Sequence, residues 1–540
     1  MGGRHKRVGL VGGLLLTSLS TIALAAPSVG GNDIKSADVI PAKTATVENL
    51  QIQPSNQSTA VAFNVKAITV HSDVSLNPAQ VQQMTSAYVN RNITLGDLNK
   101  LADAVTYYYR THGYPAAAAF VPVQHAVMGG VLQLQVVTGR FGAIQLDNQS
   151  RVRDGLLQGL LQPLKIGDGV RSKKLETALY NINNIGGITA AGILSPGKEP
   201  GTSDLTVRVA NDKRDTFLVY ANNYGSTAAG RYRYGLQGDY YDIGPRGGHA
   251  TLGGFISNKN QHNYNLGYSA MVGNGGTRLG LAFSRTDYEL GDAFRDLDAT
   301  GVADTYSFYG ATPLWNTWQR SLQLVYGYDY RDMREELRRV SYDVKKHAHT
   351  VHLGLTGHER NGKSYLGYAL TGYLGTLGID HDAYNMTGRP EGRFSKGVLD
   401  ALWLQGFNKK WDFLVKVEGQ QSATDLDNSE EIYLGGPSAV RAYPQGEGSG
   451  DTGYQATAEL RYHTSLPGLV LSTYFDGGHV NQKNDNSGTT LKGWGIGVTY
   501  AKTNDWYARF DYARRIGLGN NVSTEAEDHG RMWFMLGKIF

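Results

Sequence analysis

Down to about residue 213 the apolar positions keep changing period, from the two-residue alternation of strands to the three-to-four-residue spacing of helices. The run VAFNVKAITV, from residue 61, alternates as one strand does. NITLGDLNKLADAVTYYYRTHGYP then sets Leu98, Leu101, Ala102, Val105 and Tyr109 on one helical face. Thr94 and Asp97 have capping-box spacing, and Gly113 and Pro115 are stop signals. AAAAFVPVQ and GGVLQLQVV read as strands and residues 77–89 as a short helix. The plan repeats as FGAIQL, two helices in RVRDGLLQGLLQPL and SKKLETALYNINNIGG, and a closing hairpin of ITAAGILSPG with SDLTVRVA. Two α+β modules are therefore expected, over residues 61–138 and 139–213. AAAAFVPVQ and ITAAGILSPG are expected near sheet edges or helix grooves, where an extended partner can add as a strand.

Beyond Arg214 the helical period vanishes and strand-like runs recur to the last residue. GWGIGVTY puts Trp494, Ile496, Val498 and Tyr500 on one face and Gly493, Gly495, Gly497 and Thr499 on the other. WYARFDYAR separates Trp506, Ala508, Phe510 and Tyr512 from Tyr507, Arg509, Asp511 and Ala513 in the same way. In YQATAELRY the second face carries Gln455, Thr457, Glu459 and Arg461. A soluble sandwich alternates too, so other features decide. The 327 residues from 214 to 540 contain no covering helix. Aromatic residues gather near strand ends, as interface girdles require, and the polar faces suit a wet lumen. A bilayer demands that every strand edge be paired, which closure alone provides. At roughly twenty residues per strand and connection, the region holds about sixteen antiparallel strands of a transmembrane β-barrel.

Composition narrows the setting. The 540 residues include 69 glycines, 33 tyrosines and no cysteine, which excludes disulfides, thiol chemistry and cysteine-ligated metal. Arg4, Lys6 and Arg7 precede an apolar run ending in Ala23-Leu24-Ala25, so residues 1–25 read as a secretory signal peptide cleaved before Ala26. Losing those three cations and no acid takes the formal charge from +4 to +1, which gives no support to nucleic-acid binding. No later stretch approaches the roughly 20 apolar residues of a membrane helix. Residues 26–60 form a polar lead-in. The sequence shows no phosphate loop, no Ser-His-Asp order with supporting turns and no metal-ligand spacing among its 14 histidines. His249, His262, His347 and His349 fall in loops or alternating strands and read as solvated or luminal. Neither an enzyme nor a cofactor is expected.

Five stretches, in order, carry a family likeness: RTHGYPAAAAFVPVQ, NNYGSTAAGRYR, YELGDAFRDLDATGVADTYSFYGATPLW, YLGGPSAVRAYPQGEGSGDTGYQATAEL and YFDGGHV. By these the chain resembles the outer-membrane transporters of two-partner secretion, within the superfamily that joins POTRA domains to a barrel. The resemblance implies two periplasmic POTRA domains that capture an unfolded exoprotein through its N-terminal secretion domain. It also implies a sixteen-stranded barrel that conducts the exoprotein to the cell surface without nucleotide hydrolysis. The other partners implied are outer-membrane lipids, and the barrel-assembly machinery and periplasmic chaperones during biogenesis.

The same resemblance makes Val440, Arg441, Ala442 and Tyr443 the tip of a long sixth extracellular loop, around residues 434–453, folded back into the lumen. Arg441 would pair with Asp476. Gly435, Gly436, Gly450, Asp451, Gly453, Glu459, Phe475 and Gly478 would support the motif, and Phe540 would be the C-terminal barrel signal. Strand parity agrees: Leu469, Leu471, Thr473 and Phe475 share the lipid-facing side, so Asp476 points inward. A partly wet pair of this kind is worth about 1–3 kcal/mol, less than a dry one. Ala442 stands where the family motif usually has glycine, which tells against a tip needing positive φ at that position. The plug helix of many members has one weak candidate, ADVIPAKTATVENL, interrupted by Pro41. Two rival functions share part of the pattern. An outer-membrane insertase usually carries more than two POTRA domains, and a passive porin has no reason for the α+β modules.

Overall fold

The computed structural model describes residues 46–48, 62–122, 130–382, 390–483, 487–502, 504–517 and 529–540. The expected signal peptide lies outside the described residues. So does the plug-helix candidate, except for Thr46–Glu48, which is a strand and not helix.

Residues 43–212 form one unit. In its first module, helix Leu95–Thr111 buries Leu98, Leu101, Ala102, Val105 and Tyr109, the apolar stripe expected from sequence. Thr94 and Asp97 close the capping box in both directions. Gly113 has φ +101° just past the helix, a conformation that favours glycine. Helices Pro78–Ser86 and Leu95–Thr111 cover a sheet ordered Ala67–Ser72, Val131–Val137, Ala118–Phe120. VAFNVKAITV is therefore two strands, because its first part, Ala62–Val65, pairs with Arg91–Thr94 in a separate sheet. The Lys66 N–H at the break bonds to the Gly130 carbonyl at 2.7 Å.

The second module stacks helices Asp154–Leu161 and Ser172–Asn183 on a sheet ordered Thr46–Glu48, Ile188–Pro196, Thr202–Asn211, Arg140–Asn148. Ala118–Phe120 is an edge strand, as expected, but Ile188–Pro196 is interior. Thr46–Glu48 pairs parallel with Ala191–Ile193 and occupies its outer side. The two modules meet closely within their unit. The Ser172 N–H bonds to the Gly113 carbonyl at 3.0 Å, and the Arg171 guanidinium lies 5.6 Å from the centre of the Tyr114 ring.

Residues 213–540 build the other unit, a closed antiparallel barrel of sixteen strands from Asp215–Asn222 to Gly530–Ile539. Its seam registers five residue pairs, Leu218 with Ile539 through Asn222 with Met535. Phe217 and Phe540 add two backbone hydrogen bonds at the end of that seam nearest the C-terminus. The outer face is layered by strand parity. Leu281, Phe308, Tyr328, Val351 and Leu374 are successive cross-strand neighbours in the apolar belt. One step outward come Phe283, Tyr306, Tyr330 and His349, an aromatic girdle. A further step brings Arg285, Asp304, Asp332 and His347, which are charged or titratable. Hydrocarbon therefore gives way to headgroups within four residues along each strand.

Two outcomes follow. Leu353→Arg, in the middle of the apolar belt, should lower barrel stability by about 2–4 kcal/mol, whereas His347→Arg should change it by about 0–1 kcal/mol. Denaturant midpoints in phospholipid vesicles measure both, and equal losses would displace the belt. In the first module, Thr94→Ala should cost about 1 kcal/mol. The backbone N–H and hydroxyl of Thr94 hold the Asp97 carboxyl below its ordinary value. That contribution is complete above the unfolded carboxyl pKa and is lost as pH falls through the folded one. Amide exchange across Leu95–Thr111 should therefore show the wild-type advantage shrinking on acidification.

Candidate functional site

The chain between strands Trp411–Ser422 and Thr452–His463 is the sixth of the loops on the side opposite the termini, and it folds inward. Ile432–Tyr433 pairs with Ser449–Gly450, making a two-stranded arm. Beyond it the Leu434 N–H bonds to the Gly448 carbonyl (2.9 Å), and the Gly435 N–H to the Glu447 carbonyl (2.8 Å). The tip turns on Gly436, with φ +138°. The Val440 N–H returns to the Leu434 carbonyl (2.8 Å) and the Tyr443 N–H to the Val440 carbonyl (3.1 Å). Leu434, Val440, Ala442 and Tyr443 then pack against Tyr474, Val480, Leu491 and Ala513 of the wall.

This packing delivers Arg441 to the wall. Its Nε and Nη2 donate to the two oxygens of Asp476, each at 2.9 Å, and its backbone N–H adds a third bond at 3.1 Å. The Thr457 hydroxyl supplies a fourth donor to Asp476, at 2.9 Å. Nη1 of Arg441 reaches Glu459 Oε2 (3.0 Å) and Asp511 Oδ1 (3.2 Å). Arg509 shares Asp511, at 2.6 Å from Nε. The guanidinium lies 3.1 Å from the centre of the Tyr474 ring, and Trp533 Nε1 donates to the Arg441 carbonyl at 2.7 Å.

The expectation of a partly wet pair needs correction. Arg441 is 2% exposed and Asp476 0%, because the loop itself fills the lumen around them. Burial alone would lower the guanidinium pKa, but Asp476, Glu459 and Asp511 outweigh it and raise it, so Arg441 stays charged.

The other residues singled out from sequence fall as follows. Asp451 accepts the Leu426 N–H (2.6 Å) and the Lys483 N–H (2.8 Å), tying the loop's start to the loop after it. Gly450 belongs to the arm, and Gly453 lies in the strand that follows the loop. Phe475 faces outward, and Phe540 follows the closing strand and bonds to Phe217. A Cβ on Gly478 would come within 2.7 Å of Leu434 Cδ2 and 2.9 Å of the Tyr454 carbonyl, so a side chain there would press on the loop and on the neighbouring strand. Ala442 is absent from the positive-φ residues, so the tip does not need glycine at that position. Space is instead made at Gly493, where a Cβ would lie 2.6 Å from that of Ala442. Nothing in the sequence alone assigns Asp511, Arg509, Tyr474, Trp533 and Thr457 to the cluster. Inward parity was their only sequence signal, and dozens of luminal residues share it. Among the described residues no group of three or more His, Asp or Glu side chains is placed to hold a metal ion.

Two α+β modules ahead of a closed sixteen-strand barrel, with a long loop packed inside, define an outer-membrane polypeptide transporter with periplasmic POTRA domains. Residues 201–500 match the family described as haemolysin secretion/activation protein ShlB/FhaC/HecB, and residues 63–139 match the ShlB-type POTRA domain. The chain belongs to this family. It is 24% identical over 471 residues to the heme/hemopexin transporter protein HuxB of Haemophilus influenzae strain Rd, covering 84% of this chain and 82% of HuxB. It is 24% identical over 465 residues to the outer membrane transporter CdiB of Dickeya dadantii, covering 81% and 80%. The solved structure of CdiB from Escherichia coli shares the fold, with TM-score 0.60, 20% identity and coverage of 92% and 94%. As a member of the family, the protein translocates a partner exoprotein across the bacterial outer membrane by type V secretion, a transport function without catalysis.

The fit of Ala442 against Gly493 can be tested directly. Gly493→Ala should destabilise the seated loop by about 1–3 kcal/mol through overpacking. Adding Ala442→Gly should return most of that loss, as read from protease cleavage within residues 434–450. No recovery in the double variant would show that the strain lies elsewhere.

Proposed function

We propose that Arg441 is the releasable lock of the inward loop, and that an unfolded exoprotein crosses the lumen only when the loop leaves its seat. The observation that carries this reading is one buried guanidinium bonded to carboxylates from three separate wall strands. Bonds of this kind are directional and fix a single pose. They also stop a lumen-filling loop from leaving unprompted, which a passive pore would not need. The exoprotein presents an extended N-terminal secretion domain to the POTRA unit. The edge strand Ala118–Phe120 offers backbone pairing to it once the Ala119 N–H gives up its bond to the Thr106 hydroxyl (2.8 Å), so binding tolerates varied side chains. Folding of the cargo outside the cell supplies direction without nucleotide. Periplasmic chaperones and the barrel-assembly machinery act earlier, while this protein itself is inserted.

The decisive measurement is secreted exoprotein per inserted barrel. Arg441→Ala leaves Asp476 without a cation and Glu459 and Asp511 with Arg509 alone, and should reduce export most, because the freed loop no longer returns to its one seated position between cargo chains. Loss of one partner from a buried ion pair is worth about 3–5 kcal/mol. Asp476→Ala should do less, since Glu459 and Asp511 still hold the arginine. The double variant should match Arg441→Ala, because both changes remove a shared interaction. Strictly additive losses would reject the lock and leave Arg441 an ordinary luminal charge.

A further inference from the structure

A second group of buried charges holds the loop far from its tip. Arg331 and Glu335 lie on strand Arg320–Leu337, Lys346 on Tyr342–Asn361 and Lys396 on Gly392–Gly406. The loop contributes Asp427 and Glu430. The Lys346 ammonium lies 3.1 Å from both Glu335 and Asp427. Lys396 lies 2.9 Å from the Glu430 carboxylate and donates to the Glu430 carbonyl at 2.7 Å. Arg331 pairs with the same carboxylate and donates to the Ser429 carbonyl at 3.4 Å. Gln420 adds a bond to the Glu430 carbonyl at 2.9 Å. Three cations thus meet three carboxylates, and no side chain of the three cations is more than 10% exposed.

These contacts use a different part of the wall from the contacts of Arg441, which lie on strands between residues 452 and 539. They also differ in reach. Asp427 and Glu430 follow the end of a wall strand, Ser422, by five and eight residues, and Leu426 beside them is tied to Asp451. The tip is nineteen residues from Ser422. Between root and tip, the paired segments Ile432–Tyr433 and Ser449–Gly450 make the chain a two-stranded arm. Removing the two loop carboxylates would leave three buried cations facing Glu335 and the nearby Asp329, a costly arrangement.

We propose that Asp427 and Glu430 are positioning residues that anchor the root of the loop, so that once Arg441 lets go the arm pivots inside the lumen and does not leave the barrel. This rests on Arg441 being the releasable tip contact. The anchor keeps the loop attached through a transport cycle and defines the axis of its swing.

The chain has no cysteine, so Ser438→Cys at the tip gives a single thiol for labelling intact cells with a maleimide too bulky to enter the barrel. Four forms are compared in that background: unchanged, Arg441→Ala, Asp427→Asn/Glu430→Gln, and all three changes together. Labelling is normalised to heat-modifiable folded barrel. Arg441→Ala alone should raise labelling by less than about threefold, and the combination by more than about tenfold. The root changes alone should leave labelling of the tip near the unchanged level. Restoring the charges as Asp427→Glu/Glu430→Asp should bring the combination back toward Arg441→Ala alone. Full labelling by either set of changes alone, or no extra labelling in the combination, would overturn the anchor. Normal export in Arg441→Ala would instead overturn the tip reading, so the two failures are distinguishable. If the root variant does not insert, Lys396→Met removes a wall contact without altering the loop and is judged by the same outcomes.

Discussion

A positive charge buried inside a membrane barrel is tolerable only if its full complement of partners is built around it. Arg441 meets that condition with Asp476, Glu459 and Asp511, and the rest of the loop is arranged to make the meeting possible. The bulk of Leu434 and Ala442 is accommodated by bare backbone at Gly478 and Gly493. Trp533 fixes the backbone of the arginine itself, and Thr457 fixes the carboxylate opposite. Dry surroundings make each of these contacts stronger and each missing one more expensive. A loop held this way has one well-defined position, which is what gives its release meaning as a discrete event.

The loop spans two wall regions of different character. Around the tip, Arg441 and Arg509 stand among three carboxylates, whereas at the root three cations stand among three. At the root, the burial that would raise the Asp427 carboxyl is outweighed by Lys346 and by hydrogen bonds from Ser429, so it stays ionised to a lower pH than usual.

Much of this was legible in the sequence, for identifiable reasons. Period-two alternation survives in the barrel because each strand has lipid on one side and loop or water on the other, so Phe475 and Asp476 separate cleanly by parity alone. The helix at Leu95–Thr111 was readable because its cap and its stripe agree. Alternation is blind to what a strand pairs with. It ran VAFNVKAITV together, although Ala62–Val65 and the strand that starts at Ala67 serve different sheets. It left Ile188–Pro196 at an edge that Thr46–Glu48 fills from about 140 residues away. Parity placed Asp511 and Tyr474 inward but could not show that they converge on Arg441, since that depends on where a distant loop comes to rest.

The barrel is also lopsided. Strands from Ala299 to Asp382 run 18 to 20 residues, while those flanking the seam have 8 to 11. At about 3.3 Å per residue, less the effect of tilt, the difference comes to a wall standing roughly 20 Å taller on one side. Its outer surface above the girdle is charged, as the Arg285 to His347 row shows, so the extra height stands in water. The mouth is a spout, not a ring. A chain emerging from it meets a high back wall and a low lip, and begins to fold with one half of its horizon already closed.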